Sequence, residues 1–293
     1  LLLRNFEVGD RRVPWNPVWM PNRKTDTNNN FAISTDFIGG NEGYPEAGHA
    51  ERERIAAVVA TAGTTNVGMV DPLDAIADVA DELGAWFHVD GAYGGAGLVA
   101  PSVRHLFAGV ERADSFIVDP HKWLFAPYDS CALIYRRPED GRRAHAQHAA
   151  YLDAEDATGG WDPSDYGIHL TRRARGFPLW FSLAVHGTAA YRDAVESSLR
   201  LTREVAAYID GHPDLELVYP PTLSVVLWRR IGWSAADYAR MQDDLLGRQI
   251  GFVTPTSWQG ETVGRFAFIN PKTTLDMVTD MFEAMVPGVG DAT

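Results

Sequence analysis

The sequence predicts an α/β fold in which a mostly parallel sheet is followed by a smaller C-terminal α/β domain. Three observations support this prediction. Apolar runs of strand length alternate with segments of helical periodicity between residues 55 and 135, a pattern typical of parallel α/β sheets. Small or charged turn residues follow these runs. Beyond residue 192, shorter strands and helical segments continue the alternation on a smaller scale.

The first strand and the first helix are the clearest elements. Ile55–Thr61 is a nearly continuous apolar run, as expected of an inner strand of a parallel sheet. Asp71 and Pro72 then predict a helix start, with aspartate as the cap and proline at the first helical position. One face of that helix is apolar, and Gly84 ends it.

Three further strands are predicted before residue 140. Trp86–Val89 is a short buried strand closed by Asp90, and Ser115–Val118 is the next. A short helix near Val103–Val110 connects them, and Cys131–Tyr135 is the last of the three. Because ligands bind outside the carboxyl ends of strands in open α/β sheets, the residues that follow these strands are candidate site residues.

We divide the chain into an irregular N-terminal segment (residues 1–50), a large domain (51–192) and a small C-terminal domain (193–293). Helices are predicted from Pro178 onwards and over Val195–Ile209. The other elements predicted for the small domain are strands at Leu215–Val218, Ser224–Trp228 and Arg265–Ile269, and helices at Ser234–Leu246 and Leu275–Met285.

Composition and charge exclude several classes of partner. A formal net charge of −13 argues against nucleic acid or an anionic membrane surface as the main partner. No apolar run approaches the length of a membrane span, so no membrane partner is expected. The single cysteine, Cys131, permits no internal disulfide, which fits a cytoplasmic protein.

Lys122 is the first candidate for chemistry. It stands in the stretch Asp119-Pro120-His121-Lys122-Trp123, directly after the strand Ser115–Val118. Lysine is rarely buried unless it has a partner or a task. The task that this position suggests is a Schiff base with an aldehyde cofactor, because a desolvated lysine can act as a nucleophile.

Asp90 is the second candidate, in the stretch His88-Val89-Asp90-Gly91-Ala92-Tyr93. A pyridoxal phosphate site needs a carboxylate at the ring nitrogen, which keeps that nitrogen protonated so that the ring accepts electrons. We expect the small residues Gly91 and Ala92 to let a flat ring lie close to the backbone.

Structural alternatives exist for both residues. An aspartate at a strand end is usually a turn or cap residue, and a lysine after a strand is usually solvated. A metal site of His88, Asp90 and His121 is a weaker interpretation, because such a grouping among nine histidines arises easily by chance. We expect no metal.

The two stretches, in this order and at this spacing, resemble the group II pyridoxal-phosphate-dependent amino acid decarboxylases. The resemblance runs from about Ala57 to Pro287. It implies fold type I of the pyridoxal-phosphate-dependent enzymes, pyridoxal 5'-phosphate as cofactor, and conversion of an L-amino acid to its amine and CO2.

The resemblance also implies roles for individual residues. Lys122 holds the cofactor, Asp90 contacts the ring nitrogen, and Ala92 lies against one face of the ring. His121 matches the family histidine near the phosphate and the Schiff base, which makes it a catalytic and cofactor-binding candidate. Thr65 resembles a threonine on the cofactor side of the pocket, although a plain turn threonine is the alternative. Asp119 stays outside the expected site, because an acid beside a phosphate is repulsive unless it is paired.

Residues 139–170 predict a long irregular, mobile segment that matches the family's catalytic loop in position. That loop carries a tyrosine that donates a proton to the substrate carbon; Tyr166 is the first candidate and Tyr151 the second. Members with phenylalanine there divert to oxidative chemistry, so a tyrosine favours simple decarboxylation. Arg173 and Arg175 resemble a family arginine stretch at the active-site mouth, with a salt-bridged helix start as the alternative.

The N-terminal part departs from the family pattern. Family members carry a Ser/Gly/Thr-rich phosphate cup and a ring-stacking histidine ahead of the Thr65 stretch, and neither is recognisable here. The glycine-rich stretch at residues 39–43 contains an acid and no hydroxyl side chain, which suits a phosphate poorly. We therefore expect a fragment, or one subunit of a split enzyme whose partner supplies the cup. Either a homodimer or a hetero-oligomer is expected, because family active sites lie at a dimer interface.

Three functions remain open. The first is decarboxylation of an amino acid, by this chain alone or as one subunit. The second is a related reaction on the same scaffold, such as aldehyde synthesis or a carbon–carbon lyase reaction. The third is a non-catalytic partner subunit of the same fold.

Overall fold

The computed structural model describes residues 6–8, 11–13, 55–146 and 162–285. Strands β1 (Phe6–Val8) and β2 (Arg11–Val13) pair in antiparallel fashion. The rest of the N-terminal segment that we expected to be irregular lies outside the described residues.

The first sheet contains β3 (Ala57–Thr61), β4 (Trp86–Asp90), β5 (Ser115–Val118) and β6 (Ala132–Tyr135), in that order. The first three strands are parallel, and β6 is antiparallel to β5. The prediction of a mostly parallel sheet is therefore confirmed. In the register Thr61 pairs with Asp90 and Asp90 pairs with Ile117, so the strands end at a common edge.

Helix α1 (Leu73–Leu83) connects β3 to β4 and ends at Gly84, which adopts a left-handed conformation with φ 59°. The predicted cap is wrong by one residue, because Pro72 occupies the cap position and no side chain caps the helix. The Asp71 carboxylate instead accepts a hydrogen bond from the Thr61 amide at 2.7 Å. Asp71 thus closes the loop between β3 and α1, and its burial raises the pKa of the carboxyl above its usual value.

Between β4 and β5 the chain forms short 3₁₀ turns at Gly94–Val99, Arg104–Phe107 and Val110–Arg112. The single short helix predicted near residues 103–110 is therefore wrong. Gly109 interrupts it with φ 98°, and a Cβ there would lie 2.4 Å from the Asp74 amide nitrogen, so the α1 backbone packs too closely for a regular helix.

Helix α2 (Pro138–His145) occupies the start of the segment predicted to be irregular, so that prediction is wrong for these residues. Proline stands in its first turn together with Glu139 and Asp140, and basic residues lie in its last turn, an arrangement that favours both helix ends. Residues 147–161, including Tyr151 and Gly159-Gly160, lie outside the described part. A 3₁₀ turn follows at Pro163–Tyr166.

Helix α3 (Phe177–Gly211) joins the two halves of the structure and is interrupted only at Gly187, which has φ 74° and ψ 162°. The prediction of two helices is confirmed, since two helical stretches meet at this kink, and the second begins well before the predicted Val195. Val195 and Leu199 belong to the core of the first sheet, whereas Leu201 and Val205 belong to a second core. The domain boundary near residue 192 falls within α3 and stays a prediction.

The second sheet is antiparallel and carries two helices. Its strands, in the order β7-β8-β10-β9, are β7 (Leu215–Tyr219), β8 (Val225–Arg230), β9 (Thr256–Trp258) and β10 (Glu261–Ala267). Helices α4 (Ala235–Gly247) and α5 (Leu275–Ala284) accompany it. The predicted Ser234 cap is confirmed by a capping box with Asp237. The strand predicted at 265–269 begins earlier, and β9 was missed.

Among the described residues, no helix is long and apolar enough to cross a bilayer.

Candidate active site

Asp90 and Lys122 lie at the same edge of the first sheet. Asp90 is the last residue of β4, and Lys122 follows the end of the neighbouring parallel strand β5 by four residues. The backbone of Ala92 connects the two strand ends, since its amide donates to Asp90 Oδ1 at 3.0 Å and its carbonyl accepts from the Asp119 amide at 3.0 Å. The two candidates are thus brought to one place by the parallel register.

The Lys122 amine is paired with Asp119. Its Nζ lies 2.8 Å from Asp119 Oδ2, and the lysine side chain is 40% exposed. A turn closed by the Lys122 amide and the Asp119 carbonyl, at 2.9 Å, sets this geometry. From the sequence we expected Asp119 to stay outside the site. Its spacing of three residues from Lys122, within a turn, is the signal that could have predicted this ion pair.

Asp90 is held by backbone groups. One of its oxygens accepts from Ala92, and the other accepts no hydrogen bond from the part of the chain that the structure describes. The amide of Gly91 donates to the Ile117 carbonyl at 3.0 Å, which fastens the turn to β5. The carboxylate therefore has a fixed position and a free acceptor.

Packing against β5 requires a residue without a side chain at Gly91. A Cβ at Gly91 would lie 2.6 Å from the Phe116 ring, so the missing side chain lets the turn pack against β5. The expectation that Gly91 also lets a ring lie close to the backbone stays a prediction. Ala92 is half-buried and is the small residue that stays available for that role.

The His121 ring is fixed by two neighbours from one short stretch. Its Nδ1 lies 2.5 Å from the Ser130 carbonyl oxygen and 3.1 Å from the Ser130 amide nitrogen. The Tyr128 ring meets it edge-on, with centroids 4.9 Å apart. The imidazole is therefore held at Nδ1.

Arg173 and Arg175 share one carboxylate. Arg173 pairs with Oδ1 of Asp129, and Arg175 Nε lies 3.1 Å from Oδ2. A hydrogen bond from its own amide and the two arginines lower the pKa of the Asp129 carboxyl below its usual value. Asp129 and Ser130 are adjacent, so the arginines are connected to His121 through two residues.

Thr65 lies in the loop after β3 and contacts the second sheet. Its carbonyl accepts from Arg265 Nη2 at 2.6 Å, and the Asn66 carbonyl accepts from Arg265 Nε at 3.2 Å. Burial lowers the pKa of the Arg265 guanidinium from its usual value. The strand β10 thus anchors the loop that carries Thr65.

Tyr166 ends the 3₁₀ turn Pro163–Tyr166 and is half-buried. This turn packs mainly on α2, where Arg142 Nε lies 2.8 Å from Asp165 Oδ2. The structure thus places Tyr166 in a turn that packs beside α2.

Two further residues near Lys122 were not predicted as site residues from the sequence. Cys131 directly precedes β6, and burial together with the charges of Asp119 and Asp90 raises the pKa of its thiol to about 12. Tyr93 stacks on the buried Trp123, with centroids 5.3 Å apart, and its hydroxyl lies 2.5 Å from Ser224 Oγ. Neither residue carried a sequence signal, because both contacts depend on the folded chain.

The donor set at this edge fits a pyridoxal group. It offers a primary amine from Lys122, a carboxylate oxygen of Asp90 without a hydrogen-bond partner among the described residues, and the small residue Ala92 between them. An amine for the aldehyde and an acid for the ring nitrogen are the two groups that this cofactor requires. Within the described residues, no three histidine, cysteine or acidic side chains form a metal-ligand group.

Comparison with known proteins gives consistent matches. Residues 46–231 match the family model described as the pyridoxal-dependent decarboxylase conserved domain. The aromatic-L-amino-acid decarboxylase of Bacillus atrophaeus is 32% identical over 228 residues, covering 75% of this chain and 48% of the relative. A phenylacetaldehyde synthase of a Rosa hybrid cultivar is 35% identical over 172 residues, covering 58% of this chain and 34% of the relative.

Solved structures match over a similar share of the chain. The Oryza sativa TDC structure with PLP and tryptamine has a TM-score of 0.71 and 30% identity, covering 78% of this chain and 49% of that one. Mouse CSAD has a TM-score of 0.70 and 26% identity, covering 78% of this chain and 51% of that one. These matches confirm the predicted α/β architecture of fold type I. The chain spans about half the length of the curated relatives it matches, judged by the 48% and 45% covered in the first two.

Proposed function

Because the chain belongs to the pyridoxal-dependent decarboxylase family, we propose that it decarboxylates an L-amino acid to the corresponding amine and CO2. It does so with pyridoxal 5'-phosphate, either alone or as one subunit of a split enzyme. The observation that carries this proposal is the placement of Lys122 and Asp90 at the ends of neighbouring parallel strands, joined through the Ala92 backbone.

Each residue has a task in this proposal. The cofactor, when bound, supplies an electron-accepting ring for the bond from which CO2 leaves. Lys122 holds the aldehyde carbon, and Asp90 keeps a proton on the ring nitrogen through its free carboxylate oxygen. Ala92 supports one ring face, and Thr65 borders the cofactor side of the pocket.

Acid–base chemistry falls to two further residues. His121 lies next to Lys122 in the chain and, held at Nδ1 by Ser130, offers Nε2 to the cofactor and the substrate. Tyr166 donates a proton to the α-carbon after CO2 has left. Arg173 and Arg175 add positive charge at the mouth, because two guanidinium groups face one carboxylate, that of Asp129.

We propose aromatic L-amino acids as the first substrates to test. Relatives at 31–34% identity carry the names tryptophan decarboxylase and tyrosine/DOPA decarboxylase. Structural relatives include a Vibrio parahaemolyticus glutamate decarboxylase domain at 29% identity, so the panel includes acidic amino acids. The measurement is CO2 and amine release across the amino acids.

Lys122→Ala tests the central assignment. After reconstitution with pyridoxal phosphate and reduction with borohydride, the wild-type chain should carry the cofactor on the peptide that contains Lys122. The variant should keep its far-UV circular dichroism but lose this mass label and all turnover. Labelling of another lysine in the wild-type chain, or wild-type turnover by the variant, contradicts the assignment.

A second candidate function is aldehyde synthesis. It is favoured by the relatives named phenylacetaldehyde synthase, at 34–35% identity. In that reaction the amino acid consumes O2 and water and yields aldehyde, CO2, ammonia and hydrogen peroxide. Ammonia and peroxide in place of amine therefore distinguish it from simple decarboxylation. If the chain neither binds the cofactor nor turns over an amino acid, the remaining interpretation is a non-catalytic subunit.

We also propose that the working form is an oligomer, first of all a homodimer. Support comes from four apolar side chains on one face of the first half of α3, each more than half exposed: Phe177, Trp180, Phe181 and Val185. An obligate interface should bury more than about 2,000 Å2 in total.

Mass photometry on active material tests whether the working form is an oligomer, and a fully active monomer refutes it. Activity that appears only on adding a second polypeptide with a phosphate cup favours a hetero-oligomer.

A cytoplasmic location completes the proposal. The support is the presence of a single cysteine in 293 residues, Cys131. Cell fractionation with antibody detection checks it.

A further inference from the structure

Two residues of one short stretch, Tyr128 and Ser130, contact the His121 ring. The ring of Tyr128 packs edge-on against it at 4.9 Å, and the peptide groups of Ser130 contact its Nδ1. Asp129 lies between these two residues in sequence, and its carboxylate contacts Arg173 and Arg175. The orientation of the imidazole therefore depends on where this short stretch is held.

The Ser130 contacts determine which nitrogen of His121 is free. One ring nitrogen either donates to a carbonyl or accepts from an amide, according to where the proton lies. The contact from Nδ1 to the Ser130 oxygen is 2.5 Å and that to the Ser130 nitrogen is 3.1 Å. The shorter contact favours Nδ1 as the donor, which leaves Nε2 of the neutral ring as an acceptor.

Asp129 is the anchor of this stretch. Each of its carboxylate oxygens pairs with a different arginine, Arg173 and Arg175, which stand 44 and 46 residues further along the chain. These arginines directly precede α3, which continues into the second core. Because the pairs are exposed, they contribute little to stability. Their effect is to fix the position of the backbone between Tyr128 and Ser130.

We propose that Asp129, held by Arg173 and Arg175, is a positioning residue that keeps Ser130 on Nδ1 of His121 and thereby presents Nε2 to the reacting groups. This inference rests on the proposed function for its catalytic consequence only. The geometry of His121 is testable in the chain without cofactor. It also gives the two arginines a specific task, in addition to the charge they bring to the mouth.

The test is the Asp129→Asn variant of the full chain, examined by 15N NMR of the histidine rings at alkaline pH, with His121→Gln to assign the signals. In the wild-type chain we expect one His121 tautomer, with the proton on Nδ1. In Asp129→Asn we expect the two tautomers to mix, with an unchanged thermal midpoint. In the reconstituted enzyme, kcat should fall on the order of tenfold with little change in KM, because a small misplacement of a reacting group is costly.

Asp244→Asn is the matched control. It also removes an exposed carboxylate paired with an arginine, Arg248, at 2.7 Å, but on α4. It should change neither the His121 tautomer nor kcat. Arg175→Gln, which removes one of the two ion pairs, should give a smaller change in the same direction and replaces Asp129→Asn if that variant does not fold.

An unaltered His121 tautomer in both Asp129→Asn and Arg175→Gln overturns the proposal. The same holds if Asp244→Asn changes the tautomer equally. If the wild-type chain shows no decarboxylation but Asp129→Asn still mixes the tautomers, the proposed function fails and the positioning role stands.

Discussion

The Nζ of Lys122 lies 2.8 Å from Oδ2 of Asp119, and the charge of the same carboxylate, after burial, raises the pKa of the Cys131 thiol. One acid therefore acts on both the candidate nucleophile and a neighbouring thiol. Because Asp119 is largely buried and Lys122 is partly exposed, the acid is the fixed member of the pair. Removing its charge should change the chemistry of both neighbours.

The first prediction concerns the thiol. Burial and the Asp119 charge raise the pKa of Cys131 to about 12, so the thiol stays protonated at neutral pH. Asp119→Asn removes the charge and should lower that pKa, which increases alkylation by iodoacetamide at pH values below it. Since Cys131 is the only cysteine, the pH profile of alkylation reports on this residue alone. Identical profiles for both proteins would contradict the arrangement.

The second prediction concerns Asp90. Asp90→Ala removes the carboxylate that keeps the ring nitrogen protonated, so cofactor affinity and kcat should both fall, kcat by several orders of magnitude. Asp90→Glu keeps the acid and should retain part of the activity. Equilibrium dialysis with pyridoxal phosphate and steady-state kinetics measure the two effects. Activity of Asp90→Ala within about tenfold of wild type would remove Asp90 from its assigned role.

The third prediction concerns the contact between the two halves of the chain. The Tyr93 hydroxyl lies 2.5 Å from Ser224 Oγ and accepts from the Ser224 amide at 3.0 Å, and Ser224 is fully buried. Tyr93→Phe leaves both serine groups without this partner, which should lower the free energy of unfolding by about 1–3 kcal/mol. Urea denaturation of both proteins at neutral pH measures this difference in the free energy of unfolding.

The pH dependence of this contact has a definite sign. Burial raises the pKa of Tyr93 to about 12, above the ordinary value of 10.0. The folded state therefore retains a proton that the unfolded state loses, so this contribution is present below pH 10 and is lost as the pH rises towards 12. The wild-type chain should lose stability over that range more steeply than Tyr93→Phe. Equal slopes would mean that Tyr93 has the same pKa in the folded and in the unfolded chain.

The strands of the first sheet were predictable because local information determines them. Buried parallel strands are mostly apolar, and β3, β4 and β5 show this pattern, with His88 and Asp90 in β4 and Ser115 in β5 as the main exceptions. The parallel register then explains why Lys122 and Asp90 were predicted together from sequence. The antiparallel hairpin of β9 and β10 was harder to predict, since β9 has only three residues.

Contacts between distant residues were not predictable from local patterns. The ion pair between Arg175 and Asp129 joins residues 46 positions apart, and the hydrogen bond from Arg265 to Thr65 joins residues 200 positions apart. Asp71 has the sequence signature of a helix cap, but its carboxylate bonds Thr61 because the loop after β3 brings that amide within reach. A local pattern identifies a residue type suited to a task, whereas the fold determines which partner it meets.

The last prediction concerns the proton that completes the reaction. Tyr166 ends the turn at Pro163–Tyr166, within the segment 139–170 that we expect to correspond to the family's catalytic loop. If its phenol protonates the α-carbon, Tyr166→Phe should slow amine formation more than CO2 release and divert part of the substrate to aldehyde, with uptake of O2. The measurement is the amine-to-CO2 ratio in one reaction mixture, together with peroxide. Tyr219→Phe, which alters a half-buried tyrosine packed on Trp258 in the second sheet, is the control and should leave the ratio unchanged. A ratio that stays at one in Tyr166→Phe, with normal rates, would assign the proton to another group.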